Sequence, residues 1–140
     1  MTQFYIGTKI IEAWPAVKNE QEGYAVKYAD GYVSWSPKEV FENAYLPMGL
    51  DKTRIVPQIV DNFIAGCEVH TFAPKTTVVK ATLVNGYLIT ESSSCVDPAN
   101  YDEKLGQEIC MKRIKDKIWE LLGFMLQTAQ NGVQFQKGVE

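Results

Sequence analysis

The chain has 140 residues, of which 46% are hydrophobic and 22% are charged, and its formal net charge is -3. This much apolar material predicts a buried core in one compact unit or two small ones, and it does not indicate a disordered chain. The acidic balance argues against a binder of duplex nucleic acid, which needs a basic surface. Small anionic ligands stay possible, because a pocket needs only local positive charge.

The first stretch predicts a small β-rich module. Gln3 to Ala13 is rich in Phe, Tyr and Ile and runs into Trp14-Pro15, which is typical of a strand closed by proline. Residues 23–29 alternate in polarity as a half-buried strand does. Asp30-Gly31 then supplies a hairpin turn to a returning strand over residues 32–35.

A helix start follows this sheet. Ser36 is placed to act as N-cap, Pro37 takes the first helical position, and Glu39 completes a capping box for a short helix. The segment Leu46–Gly49 then reads as a linker.

The rest of the chain predicts a helix, a sheet and a long helix. Residues 55–65 fit a short helix with Pro57 in its first turn, and residues 68–72 fit a strand. We therefore expect an α+β fold with a β-rich module at 1–48 and an α+β domain at 49–140.

The strongest local signal is a β-hairpin over residues 76–94. Its two β-branched runs flank Asn85-Gly86, a pair that tolerates the two positive φ angles of a type I′ turn. A long amphipathic helix over about 101–129 follows, opened by acidic residues that suit a helix N-terminus. Its apolar residues at three- and four-residue steps are expected to cover the sheet: Met111, Ile114, Ile118, Leu121, Leu122 and Met125.

A second apolar face is predicted on the same helix. Tyr101, Leu105, Ile109 and Trp119 lie on another meridian, which implies contact with the N-terminal half or with another copy of the chain. We expect a homo-oligomer.

Two runs in this region carry a family resemblance. The stretches Asn85–Gly106 and Ile118–Leu126 resemble the phage "gene product forty-nine" family of small proteins from tailed phages and prophages. The resemblance implies a phage protein and brings no established activity with it.

The N-terminal run carries a second resemblance. Residues 5–13 and 23–45 are similar to a module at the front of many phage accessory proteins. Some of those proteins carry, behind it, domains similar to anti-defence proteins that sequester the nucleotide signals of bacterial Thoeris immunity. The domain behind the module is a different one here, so the link is by association.

Motifs of catalysis are missing. The chain holds no phosphate loop, dinucleotide fingerprint, zinc-protease helix or serine-hydrolase elbow, so we expect a non-enzymatic protein with no cofactor and no metal. The single histidine, His70, would pair with Cys95 and Asp97 only if the fold brought them together. A hydrolase using Glu91, Asp97 or His70 stays a third hypothesis. An acidic cluster of Glu91, Asp97, Asp102 and Glu103 would suit a divalent cation, but a turn at Asp97 and a helix N-terminus at Asp102 and Glu103 explain it better.

The cysteines and the hydropathy bear on location. Cys67, Cys95 and Cys110 are odd in number, share no CxxC spacing and follow no secretory apolar region, which favours reduced thiols. No apolar run approaches the length that spans a bilayer. We expect a protein of the host bacterial cytoplasm with no membrane partner.

Aromatic and cationic residues of the N-terminal module predict a ligand site. Aromatic planes stack on bases, while a lysine and the amides of a helix start hold phosphate. The constellation consists of Trp14, Tyr24, Tyr28, Tyr32 and Trp35 beside Lys27, Ser36 and Lys38. The candidate ligand-binding residues are Trp14, Tyr32, Trp35, Ser36, Lys38 and Arg54. The competing interpretation is that Tyr24, Tyr28 and Trp35 form the core of a small sheet and Ser36 merely caps a helix.

The leading hypothesis is therefore a counter-defence protein that sequesters a small nucleotide signal, of the cyclic nucleotide or cyclic ADP-ribose type. The alternative is an adaptor or inhibitor that binds a host or phage protein through the second apolar face of the long helix.

Overall fold

Two three-stranded antiparallel sheets and three α-helices make up the computed structural model, which describes residues 1–134. The predicted α+β fold is confirmed. The elements are, in chain order, β1 (Glu12–Lys18), β2 (Gln21–Lys27), β3 (Val33–Pro37), α1 (Lys38–Ala44), α2 (Pro57–Asn62), β4 (Ile64–Phe72), β5 (Thr76–Leu83), β6 (Leu88–Ser94) and α3 (Glu103–Asn131).

The chain divides into two compact units. Within the described residues, unit 1 holds Met1–Arg54 and residues 125–134, and unit 2 holds Ile55–Phe124. Unit 1 contains the sheet β1-β2-β3 and unit 2 the sheet β4-β5-β6. No helix within residues 1–134 combines the length and the apolar character needed to cross a membrane.

A tight turn fixes the register of the first sheet. Asn19 and Glu20 both have positive φ, 50° and 65°, the geometry of a type I′ turn, so the strands pair outward from Lys18 opposite Gln21. The strand predicted over Gln3–Ala13 is therefore wrong, because β1 occupies Glu12–Lys18. Pro15 lies inside β1, which tolerates it because β1 is an edge strand.

The predicted capping box at Ser36 is also wrong. Ser36 and Pro37 end β3, in register with Tyr24 and Gly23 of β2. Pro37 keeps an extended backbone, with φ -57° and ψ 147°, and no side chain caps α1. The sheet ladder takes this stretch because the fixed φ of proline suits extended backbone as well as a first helical turn.

Unit 2 is built on β5, the central strand of its sheet. Alternate side chains of β5 are buried beneath the long helix: Thr77, Val79, Ala81 and Leu83. The helix predicted over 55–65 is shorter, because α2 ends at Asn62 and β4 begins at Ile64 opposite Leu83. Gly66 lies at a bulge in β4, a usual place for glycine in a strand.

The β5–β6 hairpin is confirmed, but its turn differs from the prediction. Gly86 has a φ of 87°, whereas Asn85 keeps an ordinary negative φ. The amide of Leu83 donates to the carbonyl of Tyr87 at 2.9 Å, which closes a three-residue loop with its left-handed residue at Gly86.

The long helix α3 buries a narrower row than expected. The buried positions recur at every fourth residue: Gly106, Cys110, Ile114, Ile118, Leu122 and Leu126. Leu121 and Met125, predicted to face the sheet, are exposed. A helix lying on a sheet packs through one inclined row of residues four apart, and the small Gly106 lets α3 approach Thr77 closely.

This close approach yields a stability prediction. A methyl group at Gly106 would lie 2.9 Å from the Cβ of Thr77, inside a packed interface. We expect Gly106→Ala to lower the free energy of unfolding by about 1–3 kcal/mol in a urea titration, despite the better helix propensity of alanine. The matched control is Gly123→Ala, where no atom lies within 4 Å, and we expect it to raise stability by up to about 1 kcal/mol. Equal stability of the two variants would contradict this packing.

Candidate functional site

Two tryptophans share one face of the unit 1 sheet. Trp14 of β1 and Trp35 of β3 both pair with Ala25 of the central strand β2. Residues directly opposite one another in an antiparallel sheet project to the same side. Trp14, Ala25 and Trp35 therefore form a row across the sheet, with the small alanine between two indoles. We call the side that bears this row the tryptophan face.

The indole of Trp35 is held in one position on this face. Its Nε1–H donates to the carbonyl of Ala16 at 2.8 Å. The ring lies directly on Gly23, because a Cβ at that residue would come within 2.5 Å of the ring carbon Cζ2. Glycine is the residue that allows such an approach of a ring to the backbone. Trp35 is half-buried and Trp14 is 44% exposed, so the indole of Trp14 is the more accessible of the two.

Lysines accompany the two indoles. Lys18 and Lys27 belong to the same alternating set of positions as Trp14, Ala25 and Trp35, so they project from the tryptophan face. The ammonium of Lys18 lies 5.8 Å from the centroid of the Trp35 ring, a cation–π distance. Lys27 is exposed and makes no ion pair within the described residues. The face thus offers two cations beside two flat rings.

Ser36 and Lys38 lie on the opposite side of this sheet. Ser36 pairs with Tyr24, whose ring stacks on Phe41 of α1, so both residues point toward the helix. The ammonium of Lys38 lies 3.8 Å from a carboxylate oxygen of Glu22, and both side chains are exposed. Glu22 lies two residues before Tyr24 in β2, so it projects to the same side of the sheet as Tyr24. The hydroxyl of Tyr24 donates to Glu42 at 2.8 Å, and this hydrogen bond raises the pKa of Tyr24.

Tyr32 and Arg54 have partners of their own. Tyr32, which is 65% exposed, precedes β3, and its ring stacks on Tyr28 with centroids 6.0 Å apart. The guanidinium of Arg54 pairs with Asp51 at 3.0 Å. Hydrogen bonds from Thr53, with the nearby charge of Arg54, lower the pKa of Asp51. Of the six predicted site residues, only Trp14 and Trp35 therefore lie in the row on the tryptophan face. The other four lie elsewhere: Tyr32, Ser36, Lys38 and Arg54.

Lys18 was missed by the sequence reasoning, which placed Lys27 beside the aromatic residues but did not count it among the candidate site residues. The signal that identifies both lysines is the Asn19-Glu20 turn, because counting outward from it by twos gives Lys18, Ala16 and Trp14 on one strand. The same count on β2 gives Gly23, Ala25 and Lys27. A strand placed at Gln3–Ala13 hid this alternation.

The reactive groups considered for catalysis lie in unit 2 and have other partners. The Nε2 atom of His70 lies 3.8 Å from Glu68, on the side of the sheet away from α3. The thiol of Cys95 donates to the carbonyl of Asp97 at 3.2 Å, and Glu91 pairs with Lys117 at 3.1 Å. Within residues 1–134, no group of three or more His, Cys, Asp or Glu side chains is arranged to hold a metal ion.

The fixed position of Trp35 gives a prediction. Trp35→Phe keeps a ring over Gly23 but removes the hydrogen bond to Ala16, so we expect a loss of about 1 kcal/mol in unfolding free energy. The matched control is Trp14→Phe, since Trp14 donates no hydrogen bond in the described part of the chain, and we expect a change below about 0.5 kcal/mol. Chemical denaturation followed by circular dichroism measures both. Equal losses would contradict the assigned role of the Trp35 indole.

The family comparison covers unit 2. The model of a phage protein family, described as N4 Gp49/phage Sf6 gene 66, matches residues 55–130, which is more than half of the chain. The match extends over α2, the β4-β5-β6 sheet and nearly all of α3. No curated protein and no solved structure matches the chain significantly. The chain belongs to the phage protein (N4 Gp49/phage Sf6 gene 66) family.

Proposed function

We propose that this phage protein binds a small nucleotide signal of its bacterial host on the tryptophan face and holds it without transforming it. The observation that carries the proposal is the Trp14–Ala25–Trp35 row, which presents two indoles on one side of a small sheet. Family membership supplies the phage origin. The resemblance of residues 5–13 and 23–45 to modules of phage accessory proteins supports the counter-defence role and action in the host cytoplasm.

The indoles would supply the affinity for the base. Stacking of a base on an aromatic side chain is worth about 1–3 kcal/mol and tolerates any base, because every base has a π face. The exposed ring of Trp14 offers such a surface beside Ala25, whose short side chain leaves room above the sheet. Trp35 needs no ordering on binding, since Ala16 and Gly23 already fix its ring. A preorganised surface costs less entropy when a ligand binds.

The lysines would supply the affinity for phosphate. Lys18 lies beside Trp35, and Lys27 is free of ion pairs within residues 1–134. Two lysines facing one carboxylate, Glu12, leave a modest local positive charge on a chain whose net charge is -3. This balance suits one or two phosphates of a small ligand better than the long phosphate backbone of a duplex. Lys18 and Lys27 take the role first assigned to Ser36 and Lys38.

The absence of turnover is part of the proposal. His70, Glu91 and Asp97, the candidate groups for hydrolysis, belong to unit 2, while the tryptophan face belongs to unit 1. The described groups beside the indoles are two amines and a carboxylate, and no histidine or cysteine is among them. Such a surface can bind and release a nucleotide, but it offers no activated nucleophile.

Exposed apolar residues on α3 favour the alternative function, an adaptor or inhibitor of another protein. Leu105 is 54% exposed and Trp119 is 37% exposed, while Ile109 on the same meridian is half-buried. Large apolar side chains exposed along one side of a helix can contact a protein partner. Under this alternative, Trp119→Asp would abolish stoichiometric capture of one defined partner and leave nucleotide binding unchanged.

Calorimetric titration against cyclic nucleotides and cyclic ADP-ribose isomers tests the nucleotide proposal. We expect one member of the panel to bind, and we expect Trp14→Ala to weaken its binding about 5- to 150-fold, the equivalent of one lost base stack. Lys18→Ala combined with Lys27→Ala should weaken binding further and flatten its dependence on salt.

The matched controls are Ser36→Ala and Lys38→Ala, which alter the opposite side of the same sheet. We expect both to bind as the unmodified protein does. Binding by no member of the panel, or equal weakening by the controls, would overturn the proposal. Chromatography of the bound ligand after release should return it intact, and a cleaved product would instead support the hydrolase hypothesis.

A further inference from the structure

Strand β6 has a free edge in unit 2. Within the described residues its only strand partner is β5. The amide of Leu83 donates to the carbonyl of Tyr87, and the amide of Cys95 donates to the carbonyl of Lys75. These two bonds show which residues of β6 turn their backbone groups toward β5 and which turn them away. Residues 89, 91 and 93 therefore turn their backbone groups toward β5, and residues 88, 90, 92 and 94 turn theirs toward the free edge.

A side chain from α3 interrupts this edge. The guanidinium of Arg113 donates to the outward carbonyl of Ser92 at 2.7 Å. Arg113 thus separates the open backbone groups of Leu88 and Thr90 from those of Ser94 at the end of the strand. An unpaired edge of this kind invites pairing with another strand.

A groove runs along the open part of the edge. It has a volume of about 390 Å³ and lies between β6 and α3. Leu121 of α3 is 43% exposed, so the groove combines an apolar side chain with the unpaired backbone groups of Leu88 and Thr90. Its lining residues are Tyr87, Leu88, Ile89, Thr90, Lys117, Glu120 and Leu121.

We propose that a second copy of the chain docks on this edge, with β6 pairing antiparallel to β6 about a two-fold axis through Ile89. This axis sets Leu88 opposite Thr90 of the second copy, and Thr90 opposite its Leu88. Both residues carry outward amide and carbonyl groups, so each pair exchanges two hydrogen bonds. The two sheets become one sheet of six strands.

The Arg113 contact selects this register. With the axis at Thr90, Leu88 would lie opposite Ser92 of the second copy and would compete with Arg113 for its carbonyl. With the axis at Ile89, the residue opposite Ser92 is Gly86, which lies in the hairpin loop and offers no strand. The carbonyl of Ser92 therefore stays with Arg113, and the open edge is short and self-complementary. Such an edge suits its own copy better than a long extended peptide.

Charges at the groove complement each other about the same axis. Lys117 reaches Glu91 of β6, and Leu121 lies near Leu88, so Ile89 is level with the middle of the segment 117–121 of α3. A two-fold axis at that level places Glu120 of one copy beside Lys117 of the other. Glu120 makes no ion pair among the described residues, so Lys117 of the second copy would be its first ion-pair partner.

The helices leave room for this arrangement. Each α3 lies over β5, and the two β5 strands of the joined sheet would be three strand spacings apart, about 14 Å. Packed helices need about 8–10 Å between axes. The remaining space suits the long side chains that line the groove. This interface lies on a different side of α3 from Trp119, and it is independent of the nucleotide proposal.

Register-specific disulfide formation tests the proposal. In a background of Cys67→Ser and Cys95→Ser, which removes the two accessible thiols, chains with Leu88→Cys are mixed with chains carrying Thr90→Cys. Opposite residues in a hydrogen-bonded pair have Cα atoms about 5.5 Å apart, within disulfide range. We expect the mixture to yield the crosslinked dimer as its main product on mild oxidation, and each variant alone to yield little. Crosslinking of either variant chiefly with itself overturns the register, and no crosslink in any sample overturns the interface.

Proline at the edge provides a second test with intact thiols. Thr90→Pro removes an outward amide and leaves the β5–β6 ladder its hydrogen bonds, so the fold should persist by circular dichroism. We expect Thr90→Pro to raise the dimer dissociation constant at least about tenfold in analytical ultracentrifugation, because two intermolecular hydrogen bonds are lost. Thr90→Ala keeps the amide and should change the dimer dissociation constant less than about threefold. A monomeric unmodified protein, or equal effects of the two variants, would contradict the proposal and leave the edge to another protein's strand.

Discussion

The register of the two antiparallel sheets decides where each candidate functional group lies. Because successive residues of a strand point to opposite sides, a shift of one residue would exchange the two faces. The turn at Asn19-Glu20 puts Trp14 and Trp35 on the same side of the first sheet. The loop that ends at Gly86 turns the amides of Leu88 and Thr90 away from β5. Both proposed binding surfaces thus follow from short loops whose backbone geometry the chain specifies locally.

The sequence predicted the elements of unit 2 better than those of unit 1. Strong β-branched runs around Asn85-Gly86 and a long periodic helix left few alternatives, and both are present. The turn type was wrong because a three-residue loop needs positive φ at Gly86 only. The strand near the N-terminus was wrong because Pro15 looked like a strand end, although an edge strand accepts it.

The candidate site could be predicted only in part from the sequence, because strand pairing decides which of its residues share a face. Aromatic composition identified Trp14 and Trp35, but their relation to the lysines depends on strand pairing between distant residues. Ser36 and Lys38 follow Trp35 directly in the chain, yet alternation and the start of α1 turn them away from the indoles. Proximity in sequence is therefore a poor guide on a sheet, where neighbours along one strand face opposite sides. The close contacts at Gly23 and Gly106 likewise depend on residues far away in the chain.

Both the stacking role of Trp14 and the phosphate role of the lysines depend on the proposal that the tryptophan face captures a nucleotide inside infected cells. Mass spectrometry of small molecules released by heat, from protein purified from bacteria with an active nucleotide-signalling defence, tests this proposal. We expect a stoichiometric nucleotide from the unmodified protein and a strongly reduced amount from a folded Trp14→Ala variant. Release of no nucleotide, or of equal amounts from both proteins, would contradict it.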